Sequence, residues 1–185
     1  MKKKEYYIVK RGKNPGMYRT WDKCEEQVKN INGAKYKGFG TLSKAIDYLK
    51  ISYSPLDALG RCGTAMTILS KDLIQKKTKR KKTKIKPSGW EKGKYHRCHL
   101  IGCQFGGSNS RRNLITGTSH FNVECMYQIE KEIAEYVNGE GTHNYVFYQV
   151  TPEYENDNLI ANRVVMKAYS IEDDTLCIDK VIYNK

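Results

Sequence analysis

The chain has 185 residues, of which 39% are hydrophobic, enough for one medium domain or for a small and a medium one. Its 33 Lys and Arg against 20 Asp and Glu give a formal net charge of +13, which attracts polyanions and favours nucleic acid as a partner. No apolar stretch approaches the roughly 20 residues of a membrane span, so we expect no membrane partner.

The first residues are basic, but neither an apolar segment nor a cleavage site follows them, which is unlike a secretory signal peptide. We therefore expect a cytoplasmic protein, or one exported by a specialised system that needs no cleavable signal. In that setting reduced thiols are expected for the six cysteines, Cys24, Cys62, Cys98, Cys103, Cys125 and Cys177.

Residues 1–50 are predicted to form a small antiparallel sheet with two helices. Strands are expected at 6–9, 17–19 and 35–39, with a turn at 14–16. Thr20 can cap the first helix, which Asn32-Gly33 would end. Thr41 can cap the second helix, whose inner face would carry Ala45, Ile46 and Leu49.

Residues 51–185 are predicted to form a larger unit, joined to the first by a short connection at 51–55. Residues 56–73 are expected to be mostly helical, with interruptions at Gly60 and Gly63. Apolar residues at helical spacing predict a helix over 122–137 that ends at Asn138-Gly139. Strands are expected at 145–150 and 163–169. The basic run at 76–86 is either a solvated loop or an arm that binds phosphates.

The strongest chemical signal lies around His99, in the run Arg97-Cys98-His99-Leu100-Ile101-Gly102. An unperturbed histidine can act as a base near neutral pH, and an arginine can bind a phosphate. Asn122 and Glu130 lie roughly two helical turns apart and about 80° around the axis, near enough to share one hydrated Mg²⁺. Asn122 would ligate the ion and Glu130 would hold a metal-bound water. Asn113 could orient the base or the hydrated ion.

From about residue 53 onward the sequence resembles the DNA/RNA non-specific endonucleases, in particular the streptococcal-type secreted and DNA-entry nucleases with a ββα-metal active site. The resemblance rests on the segments 56–61, 87–90, 97–102, 104–107 and 113–114, and is extended by Asn122, Glu130, 150–152 and 168–170. It implies an α+β fold with a mixed or antiparallel sheet. It also implies hydrolysis of phosphodiester bonds in DNA or RNA with Mg²⁺, for which Mn²⁺ can substitute.

Carried onto this chain, the resemblance makes His99 the general base, Asn122 the metal ligand and Glu130 the support of the hydrated metal. Arg97 becomes a phosphate contact, and Asn113 a supporting amide. The family signature is Asp-Arg-Gly-His, so His96 and Cys98 depart from it. The first change removes a partner for Arg97. The second adds a Cβ at a position where glycine has none, so it needs additional space.

These departures leave alternatives open. One is a nucleic-acid-binding protein on a catalytically impaired nuclease fold, and another is a nuclease toxin or effector, with an inhibitor or immunity protein as its partner. A zinc site built from His96, Cys98, His99 and Cys103 is a third alternative, although paired Cys-x-x-Cys spacing is missing.

Residues 5–50 resemble the hybrid-binding domain that precedes the catalytic domain of eukaryotic-type ribonuclease H, on the segments 6–24 and 36–39. The resemblance implies binding of RNA–DNA hybrid and double-stranded RNA, with Trp21 and Tyr36 on the deoxyribose strand and Lys37 on a phosphate. Gly38 stands where the family often has a second lysine. The alternative for Trp21 is packing in a small core. Further contacts with sugars and phosphates are expected from Tyr7, Lys10, Arg11 and Lys13.

A short connection between the two units would act as a tether. It would keep the units within tens of ångströms of each other. Nucleic acid held by the first unit would then be concentrated near the second by avidity.

Overall fold

The computed structural model of the chain describes residues 3–75, 83–140 and 144–185, except for the side chains of residues 73 and 75. It has the predicted α+β fold. The basic run at 76–86 falls for the most part, at 76–82, outside the described residues. Within these ranges no helix is both long and apolar enough to cross a membrane. All six cysteines lie in the described part of the chain, and each is a free thiol.

The N-terminal unit is close to the prediction. Its elements are β1 (Tyr6–Arg11), β2 (Gly16–Tyr18), α1 (Trp21–Val28), β3 (Lys35–Phe39) and α2 (Leu42–Leu49). The three strands form an antiparallel sheet in the order β2-β1-β3. Thr20 caps α1 as predicted, since its hydroxyl accepts from the Lys23 amide at 3.4 Å. The helix ends before the predicted Asn32-Gly33, because Lys29 is already extended and Asn30 has a positive φ of 60°, which asparagine tolerates.

Apart from two short 3₁₀ turns, Cys103–Phe105 and Arg111–Asn113, the described residues of the larger unit contain ten elements. In chain order they are β4 (Ile51–Tyr53), β5 (Ala65–Leu69), α3 (Lys71–Gln75), β6 (His96–His99), β7 (Leu114–Gly117), a π-helical turn (His120–Met126), α4 (Tyr127–Asn138), β8 (Val146–Glu153), β9 (Arg163–Ser170) and β10 (Cys177–Tyr183). Five strands form an antiparallel central sheet in the order β10-β9-β8-β5-β4, and β6 pairs with β7 separately. The strands predicted at 145–150 and 163–169 are confirmed as β8 and β9.

The prediction of a mostly helical segment over 56–73 is wrong. Asp57 instead organises a turn, in which its Oδ1 accepts from the amides of Leu59 (3.0 Å) and Arg61 (2.8 Å), and Gly60 has a positive φ of 74°. The apolar run that follows is β5, a strand buried on both faces between β4 and β8. A fully buried strand lacks alternation, so its sequence is like that of a buried helix.

The central sheet separates two hydrophobic cores. Along β5, Ala65 and Leu69 face one core while Met66 and Ile68 face the other. The first core is closed by β6, β7 and α4, which we call the ββα layer. The second is closed by the N-terminal unit, which contributes Ile8, Met17, Phe39, Ala45 and Leu49. The first unit therefore packs on the sheet of the second, so this core fixes their spacing in addition to the short predicted connection. The boundary between residues 1–50 and 51–185 stays a prediction.

Candidate active site and nucleic-acid interface

His99 is the last residue of β6, where pairing with Leu114 of β7 fixes its backbone. Its Nε2 lies 2.8 Å from Oδ1 of Asn109 and 3.4 Å from Sγ of Cys103. A carbonyl oxygen only accepts hydrogen bonds, so the imidazole donates from Nε2 to Asn109, which selects that tautomer. Sequence reasoning missed Asn109, because a lone asparagine in a Gly/Ser-rich loop carries no spacing signal.

Asn113 supports this arrangement through the loop rather than by touching His99. It is fully buried. Its Nδ2 donates to the carbonyl oxygens of Ile101 (3.0 Å) and Ser108 (2.9 Å), and its Oδ1 accepts from the Ile101 amide (2.9 Å). The two ends of the loop are thereby held together, and Asn109 follows directly after Ser108. The predicted role of Asn113 as a supporting amide of the active site stays a prediction.

Glu130, on α4, is buried beneath the turn that follows β6. Its carboxylate accepts from the Gly102 amide (2.9 Å), from Nε2 of Gln104 (3.2 Å) and from the hydroxyl of Tyr148 (3.4 Å). Complete burial is the main cause that raises the pKa of Tyr148 well above its usual value, and the neighbouring Glu130 raises it further. This phenol therefore stays a hydrogen-bond donor. These contacts tie α4 and the central sheet to the turn after His99. That Glu130 holds a metal-bound water stays a prediction.

Asn122 projects from the π-helical turn that precedes α4 and is partly exposed. Its Nδ2 lies 3.5 Å from Nδ1 of His96, at the start of β6. The predicted angle of about 80° between Asn122 and Glu130 does not apply here, since it assumes 3.6 residues per turn and a π-helical turn is wider. Asn122 thus contacts the first residue of β6, whereas His99 is the last, and strand alternation places His96 on the face of β6 opposite to His99.

Arg97 contacts two other groups in place of the aspartate that the family signature has at position 96. Its guanidinium lies 3.8 Å from the centroid of the Trp90 ring, and its Nε donates to the Ile85 carbonyl at 2.7 Å. This stacking and hydrogen bonding hold Arg97 on the same face of β6 as His99, two residues away.

Cys98 points to the opposite face of β6 and is fully buried. Space for its sulfur exists because position 117 on the paired strand is glycine: a Cβ there would lie only 2.6 Å from Sγ of Cys98. Burial raises the pKa of the Cys98 thiol to about 12. A zinc site that combines Cys98 with His99 does not fit this geometry, because the two side chains lie on different faces of the strand.

Tyr7, Trp21 and Tyr36 form a row on the N-terminal unit, which we call the aromatic surface. Ring centroids are 5.9 Å apart for Tyr7 and Trp21, and 5.8 Å apart for Trp21 and Tyr36. Trp21 is 41% exposed and Tyr36 is 44% exposed, so Trp21 does not pack in a small core. Gly38 pairs with Tyr7, and a Cβ at Gly38 would lie 2.8 Å from the Tyr7 ring. The glycine lets that ring lie across β3.

The predicted basic residues do not all share this surface. Lys37 pairs with Ile8 and so faces the other side of the N-terminal sheet from Tyr36. Lys10 donates to the Tyr48 carbonyl at 2.7 Å and lies over the Tyr48 ring. Partial burial is the main cause that lowers the pKa of Lys10, and the positive charge of Lys50 lowers it further. Arg11 and Lys13 are exposed.

Comparison with known proteins assigns both units. The sequence model of the DNA/RNA non-specific endonucleases matches residues 41–171, and that of the ribonuclease H1 N-terminal domain matches residues 5–49. A deoxyribonuclease of Streptococcus dysgalactiae subsp. equisimilis is 28% identical over 223 residues, which cover 90% of this chain and 64% of that protein. A ribonuclease H of Crithidia fasciculata is 53% identical over 47 residues, 25% of this chain and 10% of that protein.

Two solved structures are similar as well. NucA from Streptococcus agalactiae, with a magnesium ion bound, has a TM-score of 0.63 and 25% identity, and the match covers 73% of this chain and 70% of that one. The Sda1 nuclease, with a bound zinc ion, has a TM-score of 0.65 and 25% identity, over 98% of this chain and 90% of that one. The chain belongs to the DNA/RNA non-specific endonuclease family and begins with a domain of the ribonuclease H1 N-terminal type.

Proposed function

We propose that this protein is a metal-dependent, sugar-non-specific endonuclease that hydrolyses phosphodiester bonds in DNA, RNA or RNA–DNA hybrids. The observation that carries the proposal is His99, held by Asn109 at 2.8 Å on the outer face of β6. Asn122 contacts the other end of the same strand, about 10 Å away along the backbone. A base and a metal ligand are thus presented by one ββα layer.

The residues around Asn122 fit a hard divalent cation. The contact with His96 uses the amide nitrogen of Asn122, whereas the carbonyl oxygen is the atom that binds Mg²⁺. Mg²⁺ keeps most of its water and usually takes only one or two protein ligands, so a single amide oxygen is enough. We therefore propose Mg²⁺ as the cofactor, with Mn²⁺ able to substitute. When bound, such a cation neutralises charge at the phosphate and stabilises the leaving oxygen.

Each of the other residues has a distinct part in this proposal. His99 accepts a proton from the attacking water, and Asn109 positions the ring. Glu130 fixes the turn after His99 through the Gly102 amide. Arg97, held against Trp90, faces the phosphate. The aromatic surface binds nucleic acid, whereas Lys10 and Lys37 lie on the other face of the N-terminal sheet.

The alternative of a catalytically impaired fold loses support from the same geometry. Cys98 has room beside Gly117, its diagonal neighbour on β7, and Arg97 contacts the Trp90 ring and the Ile85 carbonyl in place of the missing aspartate. A role as toxin or effector, an inhibitor protein as partner, and a cytoplasmic or exported location stay predictions.

A metal titration with Asn122→Ala tests the proposal. We expect wild-type protein to cleave duplex DNA, single-stranded RNA and RNA–DNA hybrid with Mg²⁺ but not with chelator. The variant should lose about 100-fold or more in kcat/KM and need more Mg²⁺ for half-maximal rate. Gln128→Ala, an exposed amide on the same helix, is the matched control. Equal Mg²⁺ dependence in Asn122→Ala and wild type would contradict the proposed ligand.

A further inference from the structure

The aromatic surface points away from the central sheet. In β1, Ile8 belongs to the core shared with Met66 and Ile68 of the central sheet. Tyr7 and Val9 lie on the other face of β1, with the residues buried under α1. Tyr36 pairs with Val9 and therefore shares that outer face. The rings of Tyr7, Trp21 and Tyr36 are thus on the side of the N-terminal sheet opposite to the nuclease.

The candidate active site points outward on the other side of the molecule. The ββα layer packs on the opposite face of the central sheet, where Tyr148 reaches Glu130. Within β6, Cys98 faces this core and is fully buried. Arg97 and His99 alternate with Cys98, so they lie on the face of the layer that is turned away from this core, where both are half-buried. The two candidate nucleic-acid-binding faces are therefore directed away from each other.

The two units are held in this arrangement by direct contacts. The hydroxyl of Tyr169 in β9 donates to the Met17 carbonyl at 3.0 Å, and Nη1 of Arg19 donates to the Ile171 carbonyl at 3.4 Å. The shared core lies between them, with α2 contacting both β1 and β5. A buried apolar interface of this kind fixes the units, unlike a flexible linker.

Distance and stiffness then limit which nucleic acid can reach both faces. From the N-terminal sheet through α2 and the central sheet to the ββα layer there are three spacings of about 10 Å each, roughly 30 Å in total. Duplex DNA has a persistence length of about 150 base pairs, so we expect that a short duplex does not bend around a protein of this size. A single strand is flexible and can pass around it.

We propose that the preferred substrate is an RNA–DNA hybrid with a single-stranded extension: the aromatic surface anchors the hybrid, and the active site cuts the extension. This inference rests on the proposed nuclease function. At the stacked spacing of roughly 3.4 Å per nucleotide, a strand needs about 9 nucleotides to span 30 Å, fewer where it is fully extended and more where it follows the protein surface. Extensions well below that length cannot be cut while the hybrid is anchored.

The test compares a hybrid of about 12 base pairs that carries a single strand of about 5 or about 25 nucleotides with the same single strands alone. The quantity of interest is the advantage, the ratio of kcat/KM for strand cleavage with and without the attached hybrid. For wild type we expect an advantage of about ten-fold or more with the long extension and none with the short one. In Trp21→Ala/Tyr36→Ala the advantage should disappear.

Tyr183→Ala removes another exposed aromatic ring, 51% exposed on β10, and should keep the wild-type advantage. An equal advantage for both extension lengths, or preferred cutting inside the hybrid, would overturn the inference. Cleavage of the single strands without any advantage from the hybrid would overturn the inference and leave the nuclease function intact. Failure to cut every strand with Mg²⁺ would instead overturn the proposed function itself.

Discussion

The sulfur of Cys98 occupies space that a Cβ at Gly117 would take, so a glycine diagonally across on β7 accommodates the departure from the family signature at position 98. Asn109 has a comparable part beside the proposed base, since its Oδ1 lies 2.8 Å from His99 Nε2. Sequence alone named His99, Asn113, Asn122 and Glu130 because the family motif marks them. Asn109 and Gly117 could not be named in this way, because their importance arises only when β6 pairs with β7 and the loop folds back.

Burial of Cys98 predicts a specific pH dependence of stability. The thiol pKa is about 12 in the folded protein and roughly 8.5 in an unfolded chain. Above about pH 8.5 the unfolded chain releases its proton first, so stability falls with rising pH until the folded thiol also ionises. Between pH 9 and 11 the free energy of unfolding of wild type should fall by about 1.4 kcal/mol per pH unit more steeply than that of Cys98→Ala.

Urea unfolding at several pH values checks this expectation. Cys98→Ala should be less stable than wild type at neutral pH, because a buried sulfur is lost and a cavity is left. The difference between the two proteins should then shrink toward pH 11. A constant difference over the whole range would show that the Cys98 thiol does not contribute to the pH dependence.

At the level of elements, the N-terminal unit was predicted closely, and β5 shows where a sequence pattern is ambiguous. The strands of the N-terminal unit and the helix α1 alternate between apolar and polar residues, and Thr20 marks the helix start. β5 is buried along its whole length, so its apolar run was interpreted as part of a helix. Gly60, which was interpreted as a helix interruption, lies instead in the turn organised by Asp57.

The helix that carries Asn122 shows a subtler limit of sequence patterns. Its apolar residues recur at helical spacing, and α4 ends at Asn138 as predicted. The first turns are π-helical over His120–Met126, which apolar spacing alone does not distinguish from α-helical turns. The position of Asn122 beside His96 therefore had to come from the structure.

Across the whole molecule, the central sheet is shared by two units that sequence patterns describe as separate. The N-terminal unit packs against three residues of the central sheet, Met66, Ile68 and Phe147. Nothing in their spacing indicates a partner so distant in the chain. Nucleic acid bound at the aromatic surface is consequently presented in a fixed geometry. Under the proposed substrate, the avidity expected from the short connection therefore also depends on the length and flexibility of the substrate.

The shared core predicts that both units unfold together. The chain has two tryptophans, Trp21 in the N-terminal unit and Trp90 in the nuclease unit, so Trp90→Phe and Trp21→Phe leave one fluorescent reporter in each. The two reporters should give the same urea midpoint. Ile68→Ala, at the shared core, should lower the free energy of unfolding by about 2–5 kcal/mol. Both urea midpoints should therefore fall by the same amount. If Trp21 reported unfolding at a clearly lower urea concentration than Trp90, the shared core would not couple the units.

The central claim is that His99 is the base of a metal-dependent cleavage reaction, and His99→Ala tests it most directly. The measurement is the single-turnover cleavage rate of an RNA–DNA hybrid with a single-stranded extension in Mg²⁺, together with the Kd for the same substrate in chelator. We predict a loss of about 10²–10⁴-fold in rate, the usual contribution of a general base, with an unchanged Kd. Cleavage by His99→Ala at the wild-type rate would contradict the assignment of the active site to His99.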